Sequence, residues 1–158
     1  MKQSKFLASA FVFLSLLSFT SCGGKGGGDD TPQLTPTEQR LVDLAGTTGV
    51  TWTATSVTFD GGPTNGLENF SITFRGNANS KTYNSVDGSP FLGASGTWNF
   101  VGTNIDQITF DSNTENVYAL SLNTSASPQV LTMTVNYTSN GGSRAGASGT
   151  YVFTLQNQ

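Results

Sequence analysis

Leu131-Thr132-Met133-Thr134-Val135-Asn136-Tyr137 sets an apolar side chain at every second place, with Thr or Asn between. Successive side chains of a strand point to opposite faces, so Leu131, Met133, Val135 and Tyr137 share a dry face and the intervening residues a wet one. The same period of two returns in Phe70/Ile72/Phe74, Tyr118/Leu120/Leu122 and Tyr151/Phe153/Leu155. Working outward, Gly, Asn, Asp and Pro clusters divide the chain between residues 50 and 156 into eight such pieces. They lie near Val50 to Phe59, Glu68 to Arg75, Lys81 to Val86, Gly96 to Val101, Ile105 to Asp111, Asn116 to Asn123, Val130 to Thr138 and Gly149 to Gln156. Connectors of a few residues, with no helical pattern among them, make consecutive pieces antiparallel neighbours. The expected fold is all-β, an eight-stranded antiparallel up-and-down barrel, because closure removes edges; a two-sheet sandwich, which keeps them, is the alternative.

In the first piece Val50, Trp52 and Ala54 keep one parity while Val57 and Phe59 keep the other. An extra residue near Thr55-Ser56 reconciles them, which predicts a β-bulge. Ahead of the strands, Thr35 can cap a helix, Pro36 suits its first position and Glu38 completes a capping box. Gly46 supplies the stop. The predicted helix, 36–45, sets Leu41, Val42, Leu44 and Ala45 on one apolar stripe, which fits a plug over one end of the barrel. Two later stretches echo each other. Gly93-Ala94-Ser95-Gly96-Thr97-Trp98-Asn99-Phe100 and Gly146-Ala147-Ser148-Gly149-Thr150-Tyr151-Val152-Phe153 agree at six of eight places and open the fourth and eighth pieces. Either small residues before an aromatic simply make a tight strand entry, or the two segments occupy equivalent positions across a barrel, from an old duplication.

The N-terminal part sets the address. Lys2 and Lys5 precede an apolar run from Phe6 to Leu17, the layout of a secretory signal and too short to span comfortably as a helix. Phe19-Thr20-Ser21-Cys22 resembles a bacterial lipobox, so residues 1–21 are expected to leave as a lipoprotein signal peptide and Cys22 to carry the acyl chains of a membrane anchor. Residues 22–34, rich in Gly with Asp29 and Asp30, read as a flexible tether, and 35–158 as one domain. Lys25 with Asp29-Asp30 is similar to a spread-out version of the acidic export signal of Bacteroidetes surface lipoproteins; a plain solvated linker is the alternative. The expected location is therefore the outer membrane by lipid anchor, with the periplasmic or outer face left open.

Losing Lys2 and Lys5 from 7 basic side chains leaves 5 against 10 acidic ones, a side-chain charge of −5. No basic block exists to grip nucleic acid. Cys22 is the only cysteine and histidine is absent, which removes the intrachain disulfide, the commonest general base and metal ligand, and the free-thiol nucleophile. An enzyme is not expected, nor a cofactor. Asp60, Asp87 and Asp111 precede Gly or Ser and read as turn residues, while Glu68, Asp106 and Glu115 read as solvated strand-edge charges. Asn140-Gly141-Gly142-Ser143-Arg144 reads as a hairpin loop rather than an anion cradle.

Lipobox, Gly/Asp tether, short helix, tryptophan-bearing first strand and eight-strand wall together resemble the lipocalin-like lipoprotein domains of Bacteroidetes. The matching signals are Leu44-Ala45-Gly46 leading to Trp52, Gly96-Thr97-Trp98-Asn99-Phe100, and Gly149-Thr150-Tyr151-Val152-Phe153-Thr154-Leu155. What the resemblance implies is an antiparallel barrel able to take a small apolar molecule. The candidate lining is aromatic: Trp52, Phe70, Phe74, Trp98, Phe100, Phe110, Tyr118, Tyr137, Tyr151 and Phe153. Eight strands enclose either a filled core or room for one small ligand, so these rings are pocket or core. The two readings are a lipid-anchored carrier of a small apolar ligand and an envelope interaction or scaffold protein with a filled core and a surface site for a protein or glycan. An integral outer-membrane barrel is disfavoured, because several strands fall short of the roughly nine to eleven residues a tilted membrane strand needs.

Overall fold

The computed structural model describes residues 33–60, 62–64, 66–138 and 147–158. The expected signal peptide, Cys22, the expected tether up to Pro32 and the expected Asn140 to Arg144 hairpin loop lie outside the described residues. The strands are β1 (Val50–Phe59), the two-residue β2 (Gly62–Pro63), β3 (Ser71–Gly76), β4 (Lys81–Val86), β5 (Ser95–Val101), β6 (Asn104–Phe110), β7 (Tyr118–Asn123), β8 (Val130–Tyr137) and β9 (Gly149–Asn157). From β3 onward each strand pairs antiparallel with the next; β1 pairs with β3 on one side and β9 on the other, while β2 folds back on the end of β1. The β1–β9 ladder runs from Trp52 opposite Asn157 to Phe59 opposite Tyr151. That ladder closes eight long strands into an up-and-down barrel and leaves no sandwich.

The predicted bulge is present. Ala54 faces Leu155 and Ser56 faces Thr154, so Thr55 is the extra residue, and its hydroxyl donates to the Thr154 carbonyl at 3.0 Å. This shift lets Trp52 and Val57, of opposite parity, both be buried. The strand expected from Glu68 begins instead at Ser71. Phe70 donates its N–H to the Leu67 carbonyl in a turn, and its own carbonyl accepts from Ala54.

The helix α1 (Pro36–Ala45) starts as expected, with the Glu38 N–H on Thr35 Oγ1 at 3.2 Å and the Thr35 N–H on the Glu38 carboxylate at 2.8 Å. Gly46, at φ 57°, ends it by donating to the Val42 carbonyl. Leu41, Leu44 and Ala45 are buried, but Val42, expected on the same stripe, is exposed. Its position is a quarter-turn away from the three that face the barrel. The helix contacts β3 and β6, strands that are not neighbours, so it crosses one mouth of the barrel. Trp52 donates its indole N–H to the Leu44 carbonyl at 2.9 Å, tying the helix end to the floor of the core. Asp106 is not merely a solvated edge charge: it pairs with Arg40 of α1, holding the helix to β6.

The other mouth is stoppered by the β4–β5 connector. Phe91 and Leu92 both donate to the Gly88 carbonyl at 2.9 Å, a tight turn that points the Phe91 ring inward. There it meets Tyr151 at 4.5 Å, Tyr137 at 4.8 Å and Phe153 at 5.4 Å between ring centres.

The two echoing segments have matching surroundings. Thr97 donates its N–H to Asp111 Oδ1 at 2.8 Å, and Asp111 returns its N–H to the Thr97 carbonyl at 2.8 Å. Thr150 does the same with Asp60, at 2.9 and 2.8 Å. Both acids close a Thr-Phe-Asp sequence and turn at φ 48° and 51°. Gly96 stands opposite Tyr83, and Gly149 opposite Tyr137. A tight strand entry alone requires neither the Thr-Phe-Asp partner nor the facing tyrosine, so the two segments hold equivalent places across the barrel.

Candidate functional site

Inward alternation from seven of the eight long strands, with Phe70 from the turn before β3, converges on one set of rings. Trp52, Phe70, Phe74, Trp98, Phe110, Tyr118, Tyr151 and Phe153 are buried, and Phe100 and Tyr137 are half-buried against them. Most of them meet ring to ring: Phe74 lies 5.2 Å from Trp98, Trp98 5.3 Å from Phe100, Phe110 4.9 Å from Tyr118, and Phe70 5.1 Å from Phe153. Edge-to-face and tilted contacts at these separations leave no ligand-sized space between the rings. The polar ends of the indoles are also committed, Trp98 donating to the Arg75 and Thr82 carbonyls at 3.2 and 3.1 Å.

All four tyrosines of the chain gather toward the mouth that Phe91 fills. Tyr83 donates its hydroxyl to Asp111 Oδ2 at 2.7 Å, and Tyr151 donates to the Ala147 carbonyl at 3.1 Å. One dent beside Phe91, of about 80 Å³, is bounded by Phe110, Asp111, Asn113, Asn116 and Tyr118. Another, of about 150 Å³, is bounded by Thr64, Leu67, Pro90 and Tyr151. Both fall well below the roughly 300–1,000 Å³ of pockets that engulf a drug-sized molecule. The mouth is thus a shallow surface with a phenylalanine at its centre. Asp60, Asp87, Asp111 and Glu115 stand in the turns around it, whereas the described cations, Arg40, Arg75 and Lys81, are at the helix end. Among the described residues, no three acidic side chains come close enough to hold a metal ion.

Phe91, Tyr83 and Phe59 belong to this aromatic assembly but were not among the candidate rings, Phe59 having been read only as sharing a parity with Val57. The available signal for Phe91 was an apolar Phe91-Leu92 pair inside a stretch otherwise made of Asp, Gly, Ser, Pro and Ala. Such a pair in a loop has to be buried somewhere.

Burial, and then the bond to Asp111, push the Tyr83 phenol up to about 12. Burial likewise raises Tyr118 and Tyr151. In the unfolded chain a tyrosine ionises near 10, so it releases its proton first and the raised folded value stabilises the barrel at lower pH. That contribution is complete below about pH 10 and is lost as pH rises toward about 12. Alkaline unfolding followed by phenolate absorbance should therefore show tyrosine ionisation coinciding with loss of structure. Tyr83→Phe should weaken this dependence; an unchanged profile would remove Tyr83 as its source.

The fold and these contacts define a closed antiparallel eight-strand barrel with an aromatic interior and a stopper at each end. Neither a protein-family model, nor a curated protein, nor a solved structure matches the chain.

Proposed function

We propose that this protein is an acyl-anchored component of a bacterial outer membrane whose barrel serves as a rigid platform for a protein partner, not as a container. The observation that carries this reading is the filled interior. Trp52, Phe74 and Trp98 have no exposed surface, Phe74 and Trp98 pack on other rings while Trp52 is tied to the helix end, and both mouths are occupied, one by α1 and one by Phe91. The anchor rests on Lys2, Lys5, the Phe6 to Leu17 run and Cys22. A closed eight-strand barrel is consistent with the lipocalin-like resemblance, and the outer-membrane address comes from the Bacteroidetes lipoprotein features of the sequence. A protein partner is favoured over a glycan because both indoles are internal, whereas sugars stack on exposed rings.

Native mass spectrometry of the protein extracted in mild detergent is expected to give the chain from Cys22 plus its acyl groups and nothing else. An apolar fluorescent probe should find no stoichiometric site inside the barrel. A small apolar molecule retained one to one would restore the container reading and overturn this one.

A further inference from the structure

The helix end has an apolar opening that the core does not use. Between α1 and the β3–β4 turn lies a groove of about 360 Å³, lined chiefly by Leu34, Leu41, Val42 and Ala78, with the polar Glu38 and Asn77 also on its wall. Leu34 is 47% exposed and Val42 41%; of the described large apolar side chains only Val86, at the opposite end, is comparably open. The barrel mouth is already covered by Leu41, Leu44 and Ala45, so Val42 and Leu34 contribute nothing to closing it.

We propose that this groove is the face the protein lays against a phospholipid bilayer, leaving the tyrosine end pointing away from the membrane. The proposal rests on the acyl-anchor reading of Cys22. Charge supports the orientation independently. Arg40, Arg75 and Lys81 stand at the helix end, balanced by Glu38, Asp43 and Asp106, while Asp60, Asp87, Asp111 and Glu115 at the far end face no described cation. Anionic headgroups repel that acidic end and tolerate the neutral one, over a screening length of about 8 Å at physiological salt. Chain length brings the surface within range. Cys22 and Gln33 are 11 residues apart, a separation at which a glycine-rich random coil averages about 17–20 Å end to end. The anchored chain enters the domain one residue before Leu34, at the rim of the groove. Two exposed aliphatic side chains at the end that also carries Arg75 and Lys81 match a surface that is apolar beneath and anionic above.

The test uses the full acylated protein in vesicles of phosphatidylethanolamine and phosphatidylglycerol, part of the lipid carrying a nitroxide high on its acyl chain. Since the Cys22 sulfur is blocked by acylation, Val42→Cys and Val86→Cys each introduce a single reactive thiol for a fluorophore. The label at 42 should be quenched several-fold more than that at 86, and the difference should shrink in Arg75→Glu/Lys81→Glu. Equal quenching, or stronger quenching at 86, overturns the orientation. Shielding at 42 that ignores the nitroxide and grows with protein density overturns it in favour of a second copy seated on the groove. Mass spectra of the same samples report the acyl groups. Their absence identifies a failure of the anchor reading, and the proposal falls with it; their presence with equal quenching is a failure of the orientation alone.

Discussion

Trp98→Ala is expected to lower the unfolding free energy by about 3–5 kcal/mol, the range for deleting a large buried aromatic. Trp98 has no exposed surface, meets Phe74 and Phe100 edge-on, and supplies one N–H to two carbonyls on neighbouring strands. Removing it empties the centre of the wall and takes the shared donor from Arg75 and Thr82. Against a typical domain stability of about 5–15 kcal/mol, that is a large fraction. Trp98→Phe keeps most of the volume and separates the two effects; it should cost about 1–3 kcal/mol, mainly through the carbonyls. Urea unfolding checks both through a lower midpoint at unchanged slope. A hollow barrel would respond differently, because a ring lining empty space has fewer partners to lose. A cost under about 1 kcal/mol for Trp98→Ala would therefore argue against the filled interior and, with it, the platform reading.

How much of this was legible follows from the range of each interaction. The capping box of α1 involves Thr35 and Glu38, three residues apart, and could be read directly. The bulge at Thr55 was equally visible, since a parity change inside one strand has few remedies. Alternation placed the ten singled-out rings on a common face because strands of one barrel share an inside. It missed Tyr83, the lone aromatic of Lys81-Thr82-Tyr83-Asn84-Ser85-Val86, where the pattern is too sparse to show a period. Phe91 escaped for a different reason, being delivered by a turn and not by a strand. Asp106 was misjudged because its partner Arg40 is 66 residues away, and no local pattern records such a pair. A binding surface is hardest of all to read, since a wet Thr, Ser and Asn face has the same composition whether it binds something or only water.

The echo between the two halves leads to the second large effect. Gly96→Ala is expected to cost about 2–4 kcal/mol, from overpacking and the loss of polar partners together. A Cβ on Gly96 would lie 2.0 Å from Asp111 Oδ1, so either β5 shifts or the carboxylate abandons the Thr97 N–H and the Tyr83 hydroxyl. At the equivalent position, a Cβ on Gly149 would meet Phe59 Cε2 at 2.4 Å and Asp60 Oδ1 at 3.0 Å. Phe59 is only half-buried and can yield part of that space, but Gly149 stands at φ 158°, where an added Cβ is strained whatever the room, so Gly149→Ala is destabilising for a second reason. The cause can be isolated with Asp111→Gly, which suits the backbone at φ 51° and deletes the obstructing carboxylate. If the clash is the source, the double variant Gly96→Ala/Asp111→Gly will be more stable than the sum of the singles predicts, by at least about 1 kcal/mol. Strict additivity would mean that the glycine is needed for some reason other than the acid facing it. The matched geometry of the two halves would then not explain why both segments keep glycine there.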